Sequence, residues 1–71
     1  MYDKILKELI ENYHIKQTTI AKELNCGSPF VSRMYHGGKP IPQDKGEKLI
    51  EMLKREKTKV EEINNLLKEE N

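Results

Sequence analysis

Between Gln17 and Tyr35 the apolar residues are spaced in a way that leaves the chain few ways to fold. Ile20 and Leu24 lie four residues apart and Val31 and Met34 three apart, so each pair occupies one face of a helix, while Cys26 falls at the corner between them. Ala21 is small where a second helix would approach most closely, and Asn25 stands where a turn requires a residue tolerant of positive φ. The unit reads as two short helices crossing at a tight turn, a helix-turn-helix.

The flanking segments extend this pattern into an all-α domain of four to five helices. Ile5, Leu6, Leu9, Ile10 and Tyr13 form a 3.6-period stripe from Tyr2 to Tyr13, with Asp3 favouring the helix start. His14 and Ile15 link it to a second helix, Gln17 to Leu24. After the turn at Asn25, Cys26 and Gly27, Ser28 is the expected N-cap of a third helix and Pro29 fits its first position. That helix is expected to reach about His36, where Gly37 and Gly38 stop it. Lys39 to Pro42 is extended, because each proline restricts the residue before it. Leu49, Ile50 and Leu53 mark the buried face of a fourth helix lasting to about Glu56, with Met52 at its margin and Gly46 slightly weakening its first turn. Thr58 and Glu61 match a capping box, so a separate fifth helix is expected over 58–71, carrying Val60, Ile63, Leu66 and Leu67. Leu53, Val60 and Leu67 also lie seven apart, the spacing of one continuous helix with a coiled-coil seam. The expected division is a domain over 1–57 and a C-terminal helix that dimerises or packs on the first.

A 71-residue chain sits near the lower limit for a core that folds alone, and dimerisation would add burial. Apolar and charged residues each make up 35%, the balance of a folded helical protein with wetted outer faces. A single cysteine forms no internal disulfide, and the place of Cys26 in the apolar pattern marks it as a core residue. With no apolar run of membrane-spanning length and a start of Met-Tyr-Asp-Lys, a soluble cytoplasmic protein is expected. One cysteine and two histidines match no metal-ligand spacing. No nucleophile with its base, no paired acid and no phosphate loop is present, so the expectation is a non-enzyme without cofactor, metal or small-molecule ligand. Net charge is only +1, but its distribution is uneven. From His14 to Lys48 bases exceed acids by three, and from Glu56 to Asn71 five acids face three lysines. An anion site belongs to the middle of the chain.

Gln17-Thr-Thr-Ile-Ala-Lys-Glu-Leu-Asn25, followed by Val31-Ser-Arg-Met34 and by the glycines before Lys39-Pro40, resembles the Cro/repressor (lambda-repressor-like) helix-turn-helix family over about residues 3 to 55. Gln17 and Ala21 match recurrent positions of that family. Asn25 replaces its usual turn glycine, and Pro29 stands where many relatives carry a polar, base-reading side chain. The resemblance implies that the third helix is a recognition helix, with Ser28, Pro29, Phe30, Ser32 and Arg33 toward the major groove. Arg33 is the strongest base reader, since its planar fork matches guanine O6 and N7. Phe30 is expected either on a thymine methyl or folded back onto Ile20. Phosphate anchors are expected from Lys16, Gln17, His36, Gly38, Lys39 and Lys45. Tyr35 is expected to pack with its hydroxyl wet. The implied function is a sequence-specific regulator that binds a double-stranded DNA operator as a homodimer through Val60, Ile63 and Leu67, acting by operator occupancy. Two further readings remain open. One is a helix-turn-helix module that binds protein partners in the manner of an antitoxin or anti-repressor; the other is a structural helical dimer whose C-terminal helix is the functional part.

Overall fold

A computed structural model describes residues 1–70, with side chains through Lys68. The described chain is all-helical. Helix α1 (Tyr2–Lys7) runs directly into a π-helical segment (Glu8–Asn12) and is followed by α2 (Gln17–Glu23), α3 (Ser28–Tyr35) and α4 (Gln43–Glu70). The core draws on all four helices: Leu6 and Leu9 from the first, Ile20, Ala21 and Leu24 from α2 and its cap, Val31 and Met34 from α3, and Leu49 and Met52 from α4. Burying each large apolar side chain stabilises the fold by roughly 1.5–3 kcal/mol. Cys26 packs against this cluster as a half-buried free thiol at the corner. On α4 the expected order is altered: Met52 is buried, while Ile50 and Leu53 are half-buried.

Left-handed residues close the first three helices. At the end of α2, Asn25 has φ 55°, its N–H donates to the Lys22 carbonyl at 3.2 Å, and the Cys26 N–H donates to the Ala21 carbonyl at 2.9 Å. The same paired pattern ends α3, where Gly37 has φ 80°, its N–H reaches the Met34 carbonyl at 3.2 Å and the Gly38 N–H reaches that of Arg33 at 2.9 Å. Both are Schellman closures, which satisfy carbonyls that a helix end otherwise leaves open. The first helix ends one residue wider. Tyr13 N–H donates to the Glu8 carbonyl at 3.2 Å, Ile15 N–H to that of Leu9 at 3.0 Å, and His14 takes φ 56°. Histidine is among the few non-glycine residues enriched in this region of backbone space.

The separate fifth helix does not form: α4 is continuous from Gln43 to Glu70. Thr58 is not a cap. Its hydroxyl donates back to the Lys54 carbonyl at 3.0 Å, as a threonine inside a helix does, and Lys59 pairs with Glu56 across the same point at 3.4 Å. Neither glycine nor proline interrupts the chain after Gly46, and extending an existing helix needs no new nucleus. The molecule is consequently elongated, with extents of 47 × 19 × 19 Å. On the C-terminal half of the helix Val60, Ile63, Leu66 and Leu67 are 44 to 62% exposed.

Gly46 does more than weaken the first turn of α4. It is buried, and a Cβ there would overlap the Tyr2 ring, so the glycine is what lets that ring pack against α4. Gly46→Ala is therefore expected to lower stability by about 1–3 kcal/mol through overpacking. In a Tyr2→Ala background the same change should stabilise by about 0.5–1 kcal/mol through helix propensity alone. Denaturant unfolding of the four proteins checks this, and stabilisation by Gly46→Ala in the presence of Tyr2 would contradict the packing argument.

Candidate nucleic-acid interface

Because α3 buries Val31 and Met34, helical spacing fixes what the rest of its surface presents. Pro29, Arg33 and His36 are exposed and share the outward face. Ser28, Ser32 and Tyr35 are half-buried along one flank, and Phe30 is half-buried on the other. Arg33 takes part in neither ion pair found among the described residues, so its guanidinium stands on this face without a neutralising carboxylate.

The N-terminus of α3 begins one residue earlier than the serine suggests. Gly27, at φ −84° and ψ 153°, holds the cap position, its carbonyl accepts from the N–H groups of Phe30 and Val31 at 3.1 and 3.3 Å, and no side chain caps the helix. Ser28 is thus the first helical residue. Pro29 still falls within the first turn, where its missing N–H has no consequence. α2 is similar: Lys16, exposed and extended at φ −68° and ψ 145°, precedes the half-buried Gln17, and no side chain caps the first turn. Its leading N–H groups are left without side-chain acceptors.

At the other end of α3, His36 is the C-cap, and its ring stands edge-on to that of Tyr35 with centroids 5.1 Å apart. The Tyr35 hydroxyl donates to Glu11 Oε2 at 3.2 Å, tying α3 to the π-helical segment. Partial burial, then the hydrogen bond to Glu11 and its negative charge, raise the Tyr35 pKa above the ordinary tyrosine value. The Gly38 N–H, expected as a phosphate donor, is already engaged by the Arg33 carbonyl in closing the helix.

Two of the expected anchors converge on a third residue. Lys39 Nζ lies 4.5 Å from the centroid of the Phe30 ring and Lys45 Nζ 5.7 Å from it. The Lys45 ammonium also donates to the Leu24 carbonyl at 3.4 Å, so it braces the end of α2 from the first turn of α4. Phe30 meanwhile packs against the edge of the core. Neither the Glu11–Tyr35 bond nor the pairing of Phe30 with the two lysines carries a sequence signal, since both join residues at no fixed helical spacing. Elsewhere Arg55 of α4 reaches Glu23 of α2 at 3.2 Å, an exposed pair of the kind that adds little stability.

The other expectations fall away from this face or leave it unchanged. Val60, Ile63 and Leu67 stand on the projecting end of α4. No helix among the described residues is long and apolar enough to cross a membrane, and no group of three or more His, Cys, Asp and Glu among them could hold a metal ion. Compared with known proteins, the chain matches no family model, no curated protein and no solved structure.

Proposed function

We propose that the chain is a sequence-specific double-stranded DNA-binding regulator of the Cro/repressor type, with α3 as its recognition helix, acting by occupying an operator. The observation that carries this reading is Arg33: an exposed, unneutralised guanidinium on the outward face of the second of two helices joined by a Schellman turn. A helix presented in this way fits the major groove, and an arginine on it reads guanine through two parallel donors. Lys39 and Lys45 on one flank, with the open N-terminus of α2 beside Lys16 and Gln17, supply positive charge and donors for the phosphate backbone. A net charge of +1 does not oppose this, because the excess of basic residues lies in the segment from His14 to Lys48 that includes α2 and α3.

One recognition helix reads few bases, and a two-fold dimer adds the binding free energies of two half-sites. The apolar stripe on the projecting half of α4 is the proposed site of self-association. Val60, Ile63 and Leu66, all exposed on this half of the helix, are an unusual feature for a monomer, and burial between two copies removes them from water. The operator is then an inverted repeat with half-sites about one helical turn, roughly 34 Å, apart.

Arg33→Ala is expected to lower affinity for the preferred duplex by about 1–3 kcal/mol and to relax selection at one base pair per half-site. Lys39→Ala should weaken all duplexes alike and reduce the salt dependence. Binding measured over a panel of single-base variants separates the two, and an unchanged base preference in Arg33→Ala would remove its reading role. Replacing Ile63 and Leu66 with aspartate should leave a folded monomer that no longer binds a two-half-site duplex cooperatively. A doubly substituted protein still dimeric by sedimentation would place the interface elsewhere.

A further inference from the structure

We infer that Phe30 is a positioning residue for phosphate binding: a fixed ring that holds the Lys39 and Lys45 ammonium groups together as one clamp on the duplex backbone, and not a reader of bases. The inference rests on the duplex-binding reading above and adds to it the role of a residue that the sequence leaves between a thymine contact and a core contact.

Three separate elements bring these side chains together. Phe30 comes from the first turn of α3, Lys39 from a bend in the link after it, and Lys45 from the first turn of α4. The ring is half-buried against the core, which restricts its motion and makes it a platform. A cation over an aromatic face is attracted by the ring quadrupole, and both lysines lie within the range of that attraction. Lys45 is further held by the Leu24 carbonyl.

Neither lysine belongs to an ion pair found among the described residues, although Asp44 and Glu47 are close in sequence. The result is two positive charges gathered at one ring on a flank of α3, neither of them ion-paired among the described residues. That arrangement suits the anionic oxygens of a phosphodiester. A free lysine loses much rotamer freedom when it grips a phosphate; one already held against a ring loses less. A ring whose face is occupied by ammonium groups is also withdrawn from apolar contact with a thymine methyl group.

The test compares Phe30→Leu, which keeps an apolar side chain and removes the ring, with Phe30→Tyr, which keeps the ring. In the free protein, the side-chain methylene protons of Lys39 and Lys45 should show upfield ring-current shifts that Phe30→Leu abolishes and Phe30→Tyr retains. Phe30→Leu should weaken binding to every duplex by about fivefold or more without altering base preference, and Phe30→Tyr should bind as the wild type. In a background carrying Lys39→Met and Lys45→Met, Phe30→Leu should have no further effect, which a role confined to packing would not produce. Thermal unfolding of each variant allows affinity to be expressed per folded molecule. The inference alone is overturned if the wild type binds duplex and Phe30→Leu binds as tightly, changes base preference, or weakens binding equally in the lysine-free background. A wild-type protein that binds no duplex overturns this inference together with the reading beneath it.

Discussion

Left-handed backbone at His14, Asn25 and Gly37 closes the first three helices, and the direction in which each following segment leaves depends on it. At Asn25 the chain bonds back on itself through Cys26 and Ala21, which lays α3 across α2 with Val31 and Met34 facing inward. Once those two residues are committed to the core, Arg33 has nowhere to go but outward. The electrostatic character of α3 thus follows from a turn geometry that most side chains oppose by roughly 1–2 kcal/mol and that asparagine tolerates better.

The core joins this unit to the other helices through a small number of close contacts. Leu6 and Leu9 come from the first helix and Leu49 and Met52 from α4, and the seating of the Tyr2 ring against α4 depends on the absence of a side chain at Gly46. Packing of its first half also determines the rest of α4. A helix anchored over its first four turns continues past Lys57 because nothing in the sequence stops it, and it carries an apolar stripe away from the globular body. The same continuity that extends the molecule to 47 Å therefore creates the surface proposed for self-association.

Much of the fold was legible in the sequence because it rests on periodicity and on residues with distinctive backbone preferences. Ile20, Leu24, Val31 and Met34 are buried as their spacing requires, Asn25 has the positive φ assigned to it, and α3 stops at the glycines. The misreadings have a common cause: a local pattern can be satisfied in more than one way. Thr58 with Glu61 resembles a cap, yet a threonine hydroxyl is equally satisfied by a carbonyl four residues back, and helix continuity decides between them. Ser28 resembles a cap, yet Gly27 takes that position. Gly46 looks like a weakness until Tyr2 is seen against it. At the candidate interface, the outward placement of Pro29, Arg33 and His36 follows from helical spacing. The gathering of Lys39 and Lys45 at Phe30 does not, because it depends on how the α3–α4 link folds back.

The functional proposal depends on recognition of double-stranded DNA by α3 through base contacts while nearby lysines hold the backbone. Selection of bound duplexes from a random pool by the full chain, repeated over a range of salt concentrations, tests it most directly. Enrichment of an inverted repeat is expected, with an affinity that falls linearly with salt on logarithmic axes. A pool that stays random at every salt concentration, with no duplex retained even at low salt, would contradict it.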